Sequence, residues 1–111
     1  MTRFILVRHG QTEWNRVERF RGRADIALNT AGLAQAEATG ARVSRAWLPV
    51  AVYTSPLSRA VQTAEAIARH FRLPVQRHAG LVDIDYGAWQ GVTPEEVRQR
   101  WPEECDAWYN R

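Results

Sequence analysis

The chain has 111 residues, of which 45% are hydrophobic and 24% are charged, so its length and composition fit one small globular domain. Its formal net charge is +3 and every basic residue is an arginine, but no basic run with interleaved aromatic residues follows one face, so we expect no nucleic-acid partner. The single cysteine, Cys105, excludes an internal disulfide, and no segment has the length of a membrane span or the pattern of a signal peptide, so we expect a cytoplasmic protein without a membrane partner.

An apolar run at residues 4–7 is followed directly by Arg8, His9 and Gly10. Four consecutive apolar residues predict a strand that is buried on both faces, as in a parallel sheet. The glycine allows a sharp turn at the strand end where open α/β sheets bind ligands. A neutral imidazole is a nucleophile near neutral pH, and a guanidinium binds phosphate bidentately, so this turn is a candidate phosphate site. On these residues alone, a histidine satisfied by backbone hydrogen bonds is an equal alternative.

The segment after this turn predicts a short element and then a loop. Residues 12–21 carry several charges and are predicted to form a turn or a short helix. Thr12 and Asn15 have side chains of the type that caps helices, which is the usual role of such residues. Residues 21–29 show no periodicity, so we predict a loop there.

Two helices and a strand are predicted in the middle of the chain. Small or apolar residues recur at helical spacing over residues 30–47, and a short apolar strand follows at residues 50–54. Ser55 is predicted as the N-cap of the next helix, with Pro56 at its first position. Arg59 then lies near a helix amino end, which favours anions, although an arginine on a helix is ordinarily a solvated charge.

The last part of the chain predicts one more strand and one more helix. The strand is placed at residues 74–78. Thr93 and Pro94 predict a helix that runs to about Arg100 and is stopped by Pro102. No element is predicted for residues 103–111, and no cluster has the spacing of metal ligands, so we expect neither a metal nor a cofactor.

Two of these segments resemble signatures of the histidine phosphatase superfamily, which includes cofactor-dependent phosphoglycerate mutases and many small-molecule phosphatases. They are the Arg8-His9-Gly10 turn and residues 55–64, Ser-Pro-Leu-Ser-Arg-Ala-Val-Gln-Thr-Ala. The loop at residues 22–29 is similar to the form that this segment takes in phosphatases of the superfamily. The resemblance implies a three-layer α/β/α fold with a mostly parallel sheet.

The resemblance also implies the catalytic residues. His9 matches the histidine that takes up the phosphoryl group, and Arg8 and Arg59 match the arginines that hold it. Asp83 matches the acidic residue that protonates the leaving group, where glutamate is typical, and Asp85 is the competing candidate. Either aspartate could instead be an ordinary loop carboxylate.

Four further residues are implied as binding residues. Thr12 is expected beside the phosphate, while Asn15 and the backbone at Arg21 and Gly22 are expected to line the substrate pocket. Arg21 stands where glutamine is common, which indicates a substrate of different charge. The implied substrate is a small phosphorylated metabolite.

Residues 1–111 resemble the N-terminal part of a single domain of this superfamily. The second His-Gly pair of the family is missing, because His70 precedes Phe71 and His78 precedes Ala79. We expect either a fragment, which we favour, or a homodimer in which a second copy completes the sheet. The implied activity is phosphomonoester hydrolysis through phosphohistidine, and the truncation predicts a large loss of turnover. The alternatives are a phosphoglycerate mutase and a catalytically silent phosphate-binding or interaction module.

Overall fold

The architecture combines α-helices with a small parallel sheet. The computed structural model describes residues 2–16, 19–20, 22–82 and 86–110. Its elements in chain order are α1 (Glu13–Arg16), α2 (Thr30–Ala46), β1 (Val52–Thr54), α3 (Ser58–Ala68), β2 (Val75–Arg77), α4 (Pro94–Arg100) and α5 (Pro102–Asn110), with 3₁₀ turns at Ala79–Leu81 and Gly87–Trp89. None of the helices in the described part of the chain combines the length and apolar character needed to cross a membrane.

Strands β1 and β2 run parallel and are joined through α3. Val52 pairs with Val75, and Thr54 pairs with Arg77. Parallel neighbours require a crossover connection, and α3 supplies it in this β-α-β unit. The strands predicted at residues 50–54 and 74–78 and the α/β class are therefore confirmed, although each strand is only three residues long.

The strand predicted for residues 4–7 is wrong for this structure. These residues adopt no strand, and the side chains of Phe4 and Leu6 are 80% and 92% exposed. A strand can be buried on both faces only where neighbouring strands and covering layers exist. In the described part of the chain the sheet consists of β1 and β2, which pair with each other, so no described strand accompanies residues 4–7.

Helix α2 forms where the periodicity predicts it and packs against α3. Its N-cap residue, Asn29, accepts a hydrogen bond from the backbone N–H of Gly32 through its side chain. Gly40 faces the backbone of Ala66 so closely that a Cβ would collide with it. Small residues at this crossing therefore allow the two helices to approach each other, and Ala36 and Ala66 belong to the core with Leu28.

Helix α3 begins two residues later than predicted, at Ser58 rather than Pro56. Its cap residue is Leu57, which provides no side-chain hydrogen bond, so the N-cap assigned to Ser55 is wrong. The Ser55 hydroxyl instead accepts from the backbone N–H of Leu57, which forms a local turn. A carboxylate oxygen of Asp25 accepts from the backbone N–H of Ser58 at 2.6 Å. A residue far away in sequence therefore supplies the anion at this helix start.

The C-terminal part contains one predicted helix and one unpredicted helix. Helix α4 is confirmed, and the hydroxyl of its N-cap Thr93 accepts from the Glu96 N–H at 3.2 Å. Helix α5 follows from Pro102, which the sequence interpretation treated only as a stop. Proline is also well suited to the first position of a helix, because the missing N–H has no intrahelical partner there.

Candidate active site

His9 lies in an irregular turn before α1, and its ring has one defined orientation. Its Nδ1 and the carbonyl oxygen of Gly10 are 2.7 Å apart. A carbonyl can only accept, so Nδ1 carries the hydrogen and donates it. In the neutral ring the lone pair then lies on Nε2, which makes Nε2 the nucleophilic nitrogen.

A surface cavity opens beside this histidine. It has a volume of about 290 Å³. Its lining residues are Arg8, His9, Gly10, Gln11, Asn15 and Gln35. The structure thus brings three of the predicted site residues together, and it adds two glutamines that the sequence interpretation did not single out.

The turn that carries His9 is fixed against both long helices. The backbone N–H of Gly10 donates to the Thr63 hydroxyl at 3.4 Å, and that hydroxyl donates to the carbonyl of Arg59 at 2.9 Å. On the other side Gly10 lies against Gly32 of α2, and a Cβ on either glycine would collide with backbone atoms. Close approach without side chains therefore places the histidine turn on the first part of α2.

Gly32→Ala is expected to destabilise the protein by about 2 kcal/mol, although alanine is the better helix former by about 1 kcal/mol. The added Cβ would meet the backbone of Gln11, which cannot move aside as a flexible side chain could. Urea unfolding monitored by circular dichroism measures the effect. Ala34→Gly, at an exposed position of the same helix, is the control and should cost about 1 kcal/mol. A Gly32→Ala protein more stable than the parent would contradict this packing.

Thr12 and Asn15 cap the short helix α1 reciprocally. The Thr12 hydroxyl accepts from the backbone N–H of Asn15 at 3.2 Å, and the side-chain oxygen of Asn15 accepts from the backbone N–H of Thr12 at 3.0 Å. Thr12 is fully buried, whereas Asn15 also lines the cavity. The capping role is therefore present for both residues, and the predicted position of Thr12 beside a phosphate stays a prediction.

Arg59 is almost fully buried and binds the loop that follows α1. Its side chain is 2% exposed, and its two terminal nitrogens donate to the carbonyls of Gly22 and Ala24 at 2.6 and 2.5 Å. Gly22 has a φ of 50°, in the left-handed region that glycine tolerates. Arg59 does not line the cavity beside His9. The contact of Arg59 with phosphate stays a prediction. Gly22 binds Arg59 through its backbone carbonyl, and its predicted place in the substrate pocket also stays a prediction.

Three of the residues predicted for the site, Arg21, Asp83 and Asp85, lie outside the described residues. Their roles as pocket residue and proton donor remain predictions. Among the described residues, no group of three or more His, Cys, Asp or Glu side chains could hold a metal ion.

The family assignment rests on sequence similarity over nearly the whole chain. The sequence model of the histidine phosphatase superfamily (branch 1) matches residues 4–111. The chain belongs to this superfamily. Within the histidine phosphatase superfamily, it is 40% identical to phosphoserine phosphatase 1 of Hydrogenobacter thermophilus over 97% of this chain and 51% of that protein. It is 41% identical to the 2,3-bisphosphoglycerate-dependent phosphoglycerate mutase of Corynebacterium jeikeium over 90% of this chain and 41% of the mutase.

A solved histidine phosphatase has the same local fold. The mycobacterial glucosyl-3-phosphoglycerate phosphatase in complex with VO3 superposes with a TM-score of 0.83 and 31% identity, over 90% of this chain and 47% of that one. The chain spans only part of the length of its relatives, at 51% of one phosphatase and 53% of another. About half of the superposed structure has no counterpart in this chain.

The two cavity residues that the sequence interpretation missed, Gln11 and Gln35, differ in how far the sequence could have revealed them. Gln35 lies three positions after Gly32 on α2, so it shares the helix face that meets the histidine turn. A polar residue beside small, buried ones on a packing face is the signal that could have identified it. Gln11 is part of the turn itself, but nothing in its residue type distinguishes it from an exposed loop residue.

Proposed function

We propose that this chain carries the nucleophile of a phosphomonoester hydrolase that works through a phosphohistidine. The observation that supports it most directly is the hydrogen bond from Nδ1 of His9 to the Gly10 carbonyl, which assigns the lone pair to Nε2 in a residue that lines the cavity. A hydrogen bond at Nδ1 also stabilises the charge that the ring gains when Nε2 is phosphorylated. The relatives named as phosphatases and the superfamily membership support this reaction.

The reaction has two balanced steps. Nε2 of His9 attacks phosphorus, and the bond from phosphorus to the ester oxygen breaks as Asp83 gives that oxygen a proton. Water then attacks phosphorus and gives a proton back to Asp83 while the bond from phosphorus to Nε2 breaks, which releases inorganic phosphate and restores both the imidazole and the carboxylic acid. The Arg8 guanidinium, which lines the cavity, neutralises the equatorial phosphoryl oxygens. A phosphate contact of Arg59 stays a prediction, because both of its terminal nitrogens donate to the carbonyls of Gly22 and Ala24.

A phosphoglycerate mutase is the enzymatic alternative. It is favoured by the similarity to the C. jeikeium mutase, and it would return the phosphoryl group to a second hydroxyl rather than to water. Hydrolysis is preferred because the loop at residues 22–29 resembles the phosphatase form. A silent phosphate-binding module is the non-enzymatic alternative, and it would bind phosphate without forming phosphohistidine.

Trapping the intermediate tests the proposal. The protein is incubated with a ³²P-labelled aryl phosphate, and we expect a label that is stable to base, labile to acid and confined to the peptide containing His9. His70→Ala is the matched control, because His70 follows α3 outside the cavity lining, and its labelling should equal that of the parent. A label on another residue, or phosphate binding without label, would refute the phosphohistidine mechanism.

The remaining assignments are part of the same proposal. The substrate is a small phosphorylated metabolite, the protein acts in the cytoplasm, and residues 1–111 correspond to the N-terminal part of one histidine phosphatase domain. A homodimer is retained as the alternative to a fragment. Sedimentation velocity distinguishes a homodimer from a monomer directly.

A further inference from the structure

The cavity beside His9 is lined by the side-chain amides of Asn15, Gln35 and Gln11, and hydrogen bonds fix the orientation of each: the first two accept from backbone N–H groups and the third from a side chain. The carbonyl oxygen of Asn15 accepts from the Thr12 N–H at 3.0 Å, and that of Gln35 accepts from the Gln11 N–H at 2.8 Å. A backbone N–H can only donate, so the acceptor in each pair must be the amide oxygen. The NH₂ groups of Asn15 and Gln35 are therefore assigned without ambiguity.

The Gln11 amide is fixed in the same way, through one intermediate. The side-chain oxygen of Asn29 accepts from the Gly32 N–H at 2.8 Å, so its other amide atom is the NH₂ group. That NH₂ group donates to the side-chain oxygen of Gln11 at 3.0 Å. The free end of the Gln11 amide is again an NH₂ group.

All three amide oxygens are thus engaged inside the protein, whereas the three NH₂ groups have no hydrogen-bond partner among the described residues. Arg8 adds a guanidinium to the same lining, and no lining residue is acidic. The side chains of the lining therefore offer several donors to a ligand, namely the three NH₂ groups and the Arg8 guanidinium. Such a surface favours an anion that carries several acceptor oxygens.

We infer that the NH₂ groups of Gln11 and Gln35 form a subsite for a carboxylate on the alcohol part of the substrate. The inference rests on the proposed function, because the phosphoryl group is placed at His9 and Arg8. Neutral amide donors suit a carboxylate, which carries one charge, whereas the more highly charged phosphoryl group requires arginine. A cavity of about 290 Å³ has room for a short phosphorylated hydroxy acid.

Binding of two matched ligands tests this subsite. O-Phosphoserine and phosphoethanolamine differ only in the carboxylate, and isothermal titration calorimetry gives the Kd of each without requiring turnover. We expect the parent protein to bind phosphoserine about tenfold more tightly, the preference that a hydrogen bond to a charged group provides. Equal affinities for the two ligands would overturn the inference.

Gln35→Glu assigns the preference to this position. Glutamate retains an oxygen that accepts the Gln11 N–H, but it lacks the NH₂ group and brings a negative charge against the carboxylate. The roughly tenfold preference for phosphoserine should disappear, while affinity for phosphoethanolamine stays within about threefold. Gln99→Glu, an exposed position on α4 outside the cavity lining, makes the same charge change and should retain the preference.

The outcomes separate this inference from the proposed function. A preference that survives in both Gln35→Glu and the neutral Gln35→Met overturns the subsite, even if phosphohistidine forms. Loss of the preference in both variants supports the subsite, even if no phosphohistidine is trapped. Circular dichroism of each variant excludes unfolding as the cause, and a parent that binds neither ligand refutes both the subsite and the phosphate site.

Discussion

His9→Ala is expected to lower the turnover of an aryl phosphate by about a thousandfold or more, because alanine leaves no nucleophile at the cavity. In the proposed mechanism the phosphoryl group is transferred to Nε2, which carries the lone pair because Nδ1 donates its hydrogen to the Gly10 carbonyl. Release of 4-nitrophenol from its phosphate ester, without added metal, measures the change. His78→Ala is the matched control, since His78 accepts from the Gly80 N–H outside the cavity lining.

Added imidazole makes this experiment more specific. In His9→Ala the space vacated by the ring opens into the cavity, so free imidazole can enter and act as the nucleophile. We expect it to restore part of the lost turnover in His9→Ala and to leave His78→Ala unchanged. Full activity in His9→Ala without imidazole would contradict the nucleophile assignment. A folded but inactive parent would favour the phosphate-binding module.

Local patterns predict the elements whose stability is local. Residues 30–46 form α2 because small and apolar residues recur at helical spacing and Asn29 caps the first turn. The strands at Val52–Thr54 and Val75–Arg77 are also found where the pattern places them. Both pack on the adjacent helix α3 within a single β-α-β unit. These elements need few partners from distant parts of the chain.

The failures involve partners that a pattern does not reveal. Residues 4–7 have the composition of a buried strand, yet burial requires neighbouring strands that the described chain does not provide. The local pattern misplaces the start of α3, because the side-chain acceptor for the Ser58 N–H is the carboxylate of Asp25, 33 residues earlier, and not the hydroxyl of Ser55. Helix α5 was missed because Pro102 can end one helix and begin another.

The part of the site whose residues are close together in sequence was predictable, whereas the part that depends on tertiary packing was not. His9, Arg8 and Asn15 lie within a few residues of each other, so one turn brings them to a common cavity. Gln35 reaches that cavity only because Gly32 allows α2 to contact the turn, which depends on tertiary packing. The two carbonyls that Arg59 binds also depend on tertiary structure, because they lie 35 and 37 residues before it in sequence.

Arg59→Ala is expected to destabilise the protein by about 2 kcal/mol, because the carbonyls of Gly22 and Ala24 lose their charged donors. Each such hydrogen bond contributes about 1.5–3 kcal/mol, but removing a guanidinium that is 2% exposed relieves part of its desolvation cost. Urea unfolding monitored by circular dichroism gives the difference in the free energy of unfolding.

Arg69→Ala is the matched control for this loss. Arg69 follows the same helix, and its ion pair with Glu37 has side chains that are 59% and 54% exposed, so its removal should cost less than about 1 kcal/mol. Equal losses in the two variants would show that Arg59 does not hold the loop.

Vanadate tests the second predicted role of Arg59, contact with phosphate, because a ligand that binds only the folded protein raises its stability. If Arg59 also contacts phosphate, vanadate should stabilise the parent and Arg69→Ala alike but stabilise Arg59→Lys less, since lysine lacks the bidentate guanidinium.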